Sequence, residues 1–445
     1  MPKITHRKKR LSSFKLIVLG FAGVIVLGAL ILMLPFSSTA GVVTPFHEAL
    51  FTSTSAVCVT GLVVQDTGSY WSAFGQTVIL LLIQIGGLGV VTVAAFFAML
   101  SGRKISLMQR STMQDAISAP KVGGIVRLTR FIVRGTFLIE LIGMIVMLPT
   151  FCGNYGIKGI WMAAFHSVSA FCNAGFDILG TAENKYPSLT GYIGNPAINI
   201  AIMLLIIVGG IGFLTWDDIY TNKWHFKKYR MQSKVILVTT AILIIAPAAF
   251  FFFCDFTGLP LAERILASLF QSVTPRTAGF NTADLPAMTG SSKAIMTLLM
   301  LVGGSPGSTA GGMKTTTLAV LILSAFSVCR KKDDAEVCGR RIDGSAVKNA
   351  AAVAVMYFLL FFVGGIVIST AEGLPLSTCL YETASAVGTV GLTLGITPQL
   401  GVLSQLILIV LMYLGRVGGL TLIYAAVSNK NQSGAKLPLE KITVG

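Results

Sequence analysis

Residues 52–62 read Thr-Ser-Thr-Ser-Ala-Val-Cys-Val-Thr-Gly-Leu, a short stretch that is rich in hydroxyl groups and lies between two long apolar segments. Three similar stretches follow at residues 167–176, 272–280 and 383–392, and each ends on a glycine and a large apolar residue. Their spacing of roughly 110 residues is much longer than a solenoid repeat. We therefore predict that each stretch belongs to a complete structural module and that the chain contains four such modules.

The composition of the chain places these modules in a membrane. Of the 445 residues, 54% are hydrophobic and only 12% are charged, and the mean hydropathy is +0.78. A soluble domain carries about a quarter charged residues, so we predict an integral membrane protein. The seven cysteines and four histidines follow no metal-ligand or disulfide spacing, which argues against a zinc site and a disulfide framework.

The first module shows the pattern of the others. The apolar run at residues 14–34 is long enough to span about 30 Å of hydrocarbon, the segment 45–59 is too short, and a second full span is predicted at 74–100. A basic start before an apolar run also fits a signal peptide, but the length and the lack of a small-residue cleavage site favour a retained helix. The module is thus a helix, a half-helix with a re-entrant loop, and a helix. Irregular backbone at membrane depth must line a cavity or be buried in protein.

The same order of segments recurs three times. The predicted segments are 128–148, 161–173 and 193–216; 235–253, 261–273 and 294–328; and 350–370, 376–386 and 402–427. We assign the four modules to residues 1–110, 111–225, 226–335 and 336–445. The predicted fold class is an all-α integral membrane protein, in which four tandem helix–pore loop–helix repeats with eight transmembrane helices and four re-entrant segments surround one central pore.

The distribution of charge predicts the orientation. The formal net charge is +16, and the basic residues concentrate in the links between modules, whereas the links within modules hold nine acidic residues and only a few basic ones. The positive-inside rule then places both termini and all links between modules in the cytoplasm, with the protein in the cell membrane. Docking of a cytoplasmic partner or of anionic lipid stays open as a second use of this charge. Nucleic-acid binding is disfavoured because no basic, aromatic module stands apart from the helices.

Four loops around one axis can coordinate a monovalent cation. Backbone carbonyls replace the hydration shell of the ion, glycine lets the backbone direct them inward, and hydroxyls add oxygens or brace the backbone. A turn or a small-residue helix contact explains one such stretch, but not four in equivalent positions. The predicted filter residues are Val59, Thr60, Gly61, Asn173, Ala174, Gly175, Thr277, Ala278, Gly279, Thr389, Val390 and Gly391.

Carboxylates flank these loops and are expected to concentrate cations at the outer end. They belong to Glu48, Asp66, Asp177, Glu263, Asp284 and Glu382. None lies within a loop itself. We therefore expect the carbonyls to select the ion and the carboxylates to attract it.

The four modules and their glycines resemble the Ktr/Trk/HKT superfamily of potassium transporters across essentially the whole chain. In that superfamily, glycine at the first filter position, which is Gly61 here, accompanies potassium preference, and serine accompanies sodium preference in some plant members. The length favours the Ktr-type branch, since Trk-type subunits have two further N-terminal helices. The third loop departs from the pattern because it has one residue fewer before Gly279.

The resemblance also implies partners and ions. It implies a homodimer in the lipid bilayer that is gated by a cytoplasmic RCK-type ring of nucleotide-binding subunits (KtrA/KtrC-like), with the basic links and residues 429–445 as contact surface. Potassium is the expected transported ion, and a role of sodium as activator or coupling ion is left open. No nucleotide is expected to bind to this chain itself. Residues 307–315 imitate a phosphate-binding loop, but Met313 is inserted and no strand precedes them.

A second glycine motif follows each loop. It reads Gly-Gly-Leu-Gly at 86–89, Gly-Gly-Ile-Gly at 209–212, Gly-Gly-Ser at 303–305 and Gly-Arg-Val-Gly at 415–418. The third copy expands into a glycine-rich run with one proline at 303–317. Such a run cannot sustain a helix, because each glycine costs about 1 kcal/mol and proline about 3 kcal/mol relative to alanine. We expect a break at mid-membrane that is either a packing kink or a movable plug below the filter. Its position and the resemblance, which implies an intramembrane gating loop here, favour the plug.

Arg416 stands where the first two motifs have Gly87 and Gly210. A charge at membrane depth predicts a functional role, either as an electrostatic barrier to cations or as a partner of loop carbonyls that holds the gate closed. A structural salt bridge is the simpler alternative, and Lys314 could simply face the cytoplasm. The predicted gate residues are Gly303, Gly304, Ser305, Pro306, Gly307, Gly311, Gly312, Lys314 and Arg416.

Two other classes of protein compete with this interpretation. A secondary active cation transporter also has internal repeats, but the repeats predicted here are parallel and not inverted. It is the alternative function. A membrane enzyme requires a nucleophile–base pair or a metal cluster, and the sequence shows neither. The sequence therefore predicts a potassium-translocating membrane subunit that is not an enzyme.

Overall fold

The structure is a computed structural model that describes residues 13–101, 105–117, 123–419 and 421. The helices follow one another in four consecutive segments. The first segment contains α1 (Ser13–Leu32), α2 (Phe46–Cys58), α3 (Ala73–Leu88) and α4 (Val90–Leu100), and it is followed by α5 (Leu107–Ile117). The second contains α6 (Ile125–Tyr155), α7 (Lys158–Phe171), α8 (Pro196–Gly210) and α9 (Phe213–Asn222). The third contains α10 (Met231–Cys254), α11 (Leu261–Val273), α12 (Gly290–Leu301) and α13 (Thr315–Cys329), and the fourth contains α14 (Gly344–Glu372), α15 (Leu376–Gly388) and α16 (Val402–Val417).

Each segment begins with a long apolar helix. Within the described residues, α1, α6, α10 and α14 are long and apolar enough to cross a membrane, and the number rises to six if the bent pairs α3–α4 and α8–α9 each form one span. α12, α13 and α16 are shorter apolar helices. The long helices expose many leucine, isoleucine, valine and phenylalanine side chains, as expected for a surface in contact with lipid. The prediction of a helical multi-pass membrane protein is confirmed at this level.

The short helices α2, α7, α11 and α15 form the centre, and one hydroxyl on each explains how they are held there. This hydroxyl donates a hydrogen bond to a backbone carbonyl of the preceding long helix. The bond gives the hydroxyl a partner, which the hydrocarbon of a membrane does not offer. The four bonds are Ser53 to Ile25 (2.7 Å), Ser167 to Glu140 (2.5 Å), Ser272 to Ile244 (2.5 Å) and Thr383 to Phe361 (3.1 Å). The hydroxyl-rich composition of these stretches is therefore partly a requirement of packing.

Two helices that the sequence predicts as continuous are bent. The predicted span 74–100 corresponds to α3 and α4, which meet at 95°, and the predicted span 193–216 covers α8 and the start of α9, which meet at 98°. The breaks fall at Gly89 and Gly212, whose φ angles are +84° and +92°. Few side chains tolerate this backbone conformation, and glycine adopts it freely. The predicted break in the third segment occurs at residues 302–314, between α12 and α13.

The links between segments contain two elements that the sequence analysis did not predict. α5 follows the first segment, and an antiparallel hairpin of β1 (Glu336–Val337) and β2 (Arg340–Arg341) precedes α14, with Glu336 paired to Arg341. The basic stretch before residue 13, the end of the predicted span 402–427 and the predicted contact surface 429–445 lie outside the described residues.

Candidate cation pore and gate

The four loops share one backbone conformation. The first predicted filter residue of each loop is left-handed, with φ of 58° at Val59, 60° at Asn173, 68° at Thr277 and 52° at Thr389. The glycine two positions later also has a positive φ, which is 96°, 67°, 83° and 94° in Gly61, Gly175, Gly279 and Gly391. Non-glycine residues are rarely found in this region, and strained backbone of this kind concentrates at functional sites.

The four glycines close a ring. A side chain added at Gly61 would place its Cβ 2.5 Å from the carbonyl oxygen of Ala174, in the second loop. The corresponding distances are 2.7 Å from Gly175 to the Ala278 oxygen, 2.4 Å from Gly279 to the Val390 oxygen, and 2.2 Å from Gly391 to the Thr60 oxygen. The contacts run from the first loop to the fourth and back to the first. The four loops are therefore brought together, with the four glycines and the carbonyls of Thr60, Ala174, Ala278 and Val390 in contact around the ring.

A hydroxyl behind each loop holds it in place, in one of two ways. Ser55 and Ser385 accept a hydrogen bond from the backbone N–H of Gly61 and Gly391, each at 3.0 Å. In the second loop Ser169 instead donates to the carbonyl of Phe176 at 2.7 Å. Thr274 donates in the same way to the carbonyl of Phe280 in the third loop. The sequence analysis pointed to nearby hydroxyls but did not single out these four.

The shortened third loop keeps the shared conformation. Thr274 lies five residues before Gly279, whereas Ser169 lies six residues before Gly175. The threonine nevertheless makes the bond that the serine makes, and both Thr277 and Gly279 have the positive φ of their counterparts. The shortening of this loop by one residue therefore leaves the backbone conformation at the ring unchanged.

A cavity of about 230 Å³ lies against the ring. It is lined by the four glycines together with Asp66 and Asp177, among others. Asp66 accepts from the backbone N–H of Tyr186 at 3.0 Å and from Ser69 at 2.7 Å, so its carboxylate is held at the cavity.

The other predicted carboxylates have different surroundings. Glu382 is fully buried and accepts from the N–H of Leu394 at 3.0 Å and from Thr397 at 2.8 Å. Glu48 accepts from Gln65 at 2.8 Å, and Asp284 lines a neighbouring surface cleft of about 930 Å³. Of the six, only Asp66 and Asp177 line the cavity at the ring.

The glycine-rich run lies on the opposite side of the ring. An added Cβ at Gly311 would lie 2.1 Å from the hydroxyl oxygen of Thr389, and one at Gly303 would lie 3.1 Å from Cγ2 of Thr277. The run is held by neighbouring segments, because Ser305 N–H donates to the Gly210 carbonyl at 2.9 Å and Gly312 N–H donates to the Gly415 carbonyl at 3.2 Å. It therefore packs directly against the first predicted filter residues of the third and fourth loops.

Two basic side chains secure the run through backbone carbonyls. The Arg416 guanidinium donates to the carbonyl of Thr309 in the run and to the carbonyls of Gly86 and Gly87 at the end of α3. A cation is stabilised at the C-terminal end of a helix by the helix dipole. Lys314 Nζ donates to the carbonyls of Ala310 (2.7 Å) and Gly311 (3.2 Å). Within the described residues Arg416 makes no ion pair, and the partners of its guanidinium there are backbone carbonyls.

The turn of the run at Gly307 contacts two further elements. The carbonyl of Gly307 accepts from the N–H of Phe213, the first residue of α9, at 2.7 Å. An added Cβ at Gly307 would lie 2.5 Å from the carbonyl oxygen of Ile117, the last residue of α5. A second cavity, of about 260 Å³, is lined here by Pro306, Lys314 and Arg416, among others. The run and its two basic residues thus line a cavity that is distinct from the one at the ring.

The positions of the second glycine motif have separate roles. Its first glycine packs against the end of a half-helix, since a Cβ at Gly86, Gly209 or Gly415 would lie 2.1 to 2.2 Å from the carbonyl oxygen of Val57, Phe171 or Val387. Its last glycine has a positive φ at Gly89, Gly212 and Gly418 and ends the helix before it. The second position holds Gly87, Gly210 and Arg416, so it is the position at which the fourth copy carries a charged side chain in place of glycine.

Comparisons with known proteins extend over the same region. Residues 13–434 match the family model described as TrkH, cation transport protein. The chain is 39% identical to the potassium/sodium uptake protein NtpJ of Enterococcus hirae, with 98% of each chain covered. It is 36% identical to the Ktr system potassium uptake protein B of Bacillus subtilis, with 97% of this chain and 96% of that protein covered. The crystal structure of the potassium transporter TrkH from Vibrio parahaemolyticus has a similar fold, with a TM-score of 0.74 at 19% identity over 96% of this chain and 87% of that chain.

Proposed function

Because the chain belongs to the TrkH family of cation transport proteins, a family of transporters and not of enzymes, we propose that it moves potassium through one pore on the axis of its four loops. The closed ring of four glycines carries this proposal. Carbonyls directed at one axis replace the water of a monovalent cation, and a side chain at any of the four positions would collide with a neighbouring carbonyl. The names of the relatives, which are potassium and potassium/sodium uptake proteins, support potassium as the ion.

The twelve residues from Val59 to Gly391 that form this ring are the proposed selectivity filter. In the proposed topology each of the four repeats contributes two spans and one re-entrant half-helix, so the broken pair α12–α13 and the short α16 complete a set of eight. Both termini then lie in the cytoplasm, as the basic links between repeats favour. Potassium would enter past Asp66 and Asp177 and would move inward down its electrochemical gradient, where each 100 mV contributes about 2.3 kcal/mol per charge.

The glycine-rich run is the proposed gate, and we propose that the arrangement described above is its closed state. Arg416 joins the run to α3, and Lys314 donates a hydrogen bond to a carbonyl of the run itself. Opening requires these bonds to break, so the guanidinium serves as a latch as well as a positive charge on the ion path.

Regulation is proposed to come from outside this chain. The relatives named as parts of a Ktr system support a multi-component assembly. We propose a homodimer that binds a cytoplasmic RCK-type ring through the basic links and the tail. Sodium, which appears in the name of one relative, is proposed as an activator or coupling ion.

The serines behind the first and fourth loops provide a first test of the filter. Ser55→Ala and Ser385→Ala each leave a buried glycine N–H without its acceptor, which costs about 1–3 kcal/mol. We expect potassium to raise the Tm of either variant less than it raises the Tm of the wild type, in thermal melts with potassium or sodium chloride. Ser53→Ala is the matched control, because its hydroxyl bonds to α1 and not to the filter. It should lower the Tm equally in both salts. If potassium protected the Ser55 and Ser385 variants as well as the wild type, the bracing role would be wrong.

Rubidium uptake into liposomes that contain the full chain tests the proposal as a whole. Uptake of radiolabelled rubidium that potassium blocks and sodium blocks poorly is the expected result. Equal competition by the two ions would contradict a potassium-selective filter. The gate is proposed to be closed, so an absence of uptake by the wild type does not decide the matter. The same measurement is therefore made with Arg416→Ala, in which the gate is expected to open.

A further inference from the structure

The first part of α6 carries three arginines on one face. Arg127, Arg130 and Arg134 are exposed, and their spacing of three and four residues places them one above another along the helix. The same face continues with Leu138, Leu141 and Ile145, which are 59%, 51% and 59% exposed. We call Arg127, Arg130 and Arg134 the arginine stripe. One helical face therefore passes from guanidinium groups to aliphatic side chains.

The length of α6 places the arginine stripe at the edge of the bilayer. Its 31 residues extend over about 46 Å, whereas the hydrocarbon core is about 30 Å thick. The aliphatic part of the face belongs in the hydrocarbon, which leaves the first part of the helix at the level of the lipid phosphates. Arginine is suited to this position, since its planar guanidinium binds phosphate through two parallel hydrogen bonds.

The stability of α6 does not explain the stripe. The N-terminal end of a helix carries partial positive charge, so Arg127 in the first turn is unfavourable for the isolated helix. Within the described residues none of the three arginines makes an ion pair. A bound phosphate would compensate the guanidinium groups and the end of the helix together.

The neighbouring segment has the composition of a membrane interface. Tyr220 of α9 is 74% exposed, and its ring lies 5.4 Å from that of Phe131, within the stretch of α6 that bears the stripe. Trp224, just beyond α9, is 98% exposed and is followed by the exposed Lys227 and Lys228. Tryptophan and tyrosine collect at the level of the headgroups. α9 is turned by 98° from α8, so it runs along the membrane if α8 crosses it.

We propose that the arginine stripe binds the phosphate of an anionic phospholipid in the cytoplasmic leaflet, with the acyl chains along Leu138, Leu141 and Ile145. Charge complementarity and the continuity of one helical face from headgroup level to hydrocarbon favour a lipid over a soluble partner. This inference rests on the proposed cytoplasmic location of the start of α6. It does not depend on which cation the pore carries.

Native mass spectrometry of the full chain in detergent tests the inference. Wild type, R127Q/R130Q/R134Q and the control R330Q/K331Q/R340Q are incubated with equal amounts of phosphatidylglycerol and phosphatidylcholine, and the retained lipids are counted. The control removes the same charge from exposed residues around β1 and β2. We expect the stripe variant to lose phosphatidylglycerol by about fivefold for each arginine removed, and the control to retain it. R127K/R130K/R134K should retain an intermediate amount, because lysine binds phosphate only as a point charge.

The other outcomes overturn the inference. Equal retention by wild type and the stripe variant would show that the arginines bind no lipid. Equal loss in both glutamine variants would show an effect of total charge and no site. Unchanged lipid retention together with lost binding of a cytoplasmic partner would assign the stripe to protein docking. If the triple glutamine variant does not fold, as judged by size-exclusion chromatography, the three single variants and the lysine variant give the same comparison. A failure of rubidium uptake would leave the lipid count unchanged, so the two proposals fail separately.

Discussion

Replacing Gly61 with serine is expected to lower the preference for potassium over sodium at least about tenfold, which corresponds to about 1.4 kcal/mol. The added Cβ would lie 2.5 Å from the carbonyl oxygen of Ala174 and 3.2 Å from Cα of Gly175. Both neighbours are backbone atoms, so the second loop must move. The φ of +96° at this position adds strain, because side chains other than glycine disfavour it. A carbonyl displaced from the ring coordinates potassium less well, while the smaller sodium ion tolerates an irregular site.

The preference is measured as the ratio of potassium to sodium needed to halve rubidium uptake in liposomes. Gly258→Ser is the matched control, since Gly258 lies in an exposed link and an added Cβ there meets nothing within 4 Å. It should leave the ratio unchanged. A folded Gly61→Ser protein with the wild-type ratio would refute the filter assignment. A loss of uptake with no change in the ratio would indicate a role in packing.

Replacing Arg416 with alanine is expected to raise rubidium uptake by the chain alone at least about tenfold, again about 1.4 kcal/mol. The guanidinium donates to carbonyls of Thr309, Gly86 and Gly87, and charge-assisted hydrogen bonds contribute about 1.5–3 kcal/mol each. Its loss releases the run from α3 and also removes a positive charge from the path. Initial uptake rates at equal protein content in the liposomes provide the measurement.

Arg416→Lys separates the two effects of this residue. Lysine keeps the charge but, as a single point donor, cannot reproduce the fork that bridges the run and α3. If the charge is the barrier, this variant should transport as slowly as the wild type. If the bridge is the latch, its uptake should rise towards that of the alanine variant. Arg264→Gln is the control, because Arg264 stacks on Phe252 away from the run. Wild-type uptake in Arg416→Ala would exclude both roles.

The sequence was sufficient to predict the elements that repeat. The long apolar helices, the half-helices and the break after α12 all follow from hydropathy and glycine content, and the half-helix predicted at 261–273 coincides with α11 (Leu261–Val273). The family resemblance is confirmed by the match of residues 13–434. Repetition made these predictions possible, because a weak signal in one module was reinforced by three others.

Features that depend on contacts between modules could not be predicted in this way. The bends at Gly89 and Gly212 arise from backbone conformation, and the sequence alone did not distinguish their glycines from those that pack against a half-helix. Arg416 was identified as unusual, but its three carbonyl partners lie more than a hundred residues away in the chain. The hydroxyls of Ser55 and Thr274 look alike in sequence, yet one accepts from a glycine N–H and the other donates to a carbonyl.

That difference between the loops has a consequence for how the ring can evolve. In a channel built from four identical subunits, one mutation in the gene alters all four loops at once. Here each loop is encoded separately, so a mutation changes one quarter of the ring and the other three continue to support it. The ring already contains two kinds of bracing and one loop with a residue fewer. Ion preference can therefore be inherited and selected in small increments, one loop at a time.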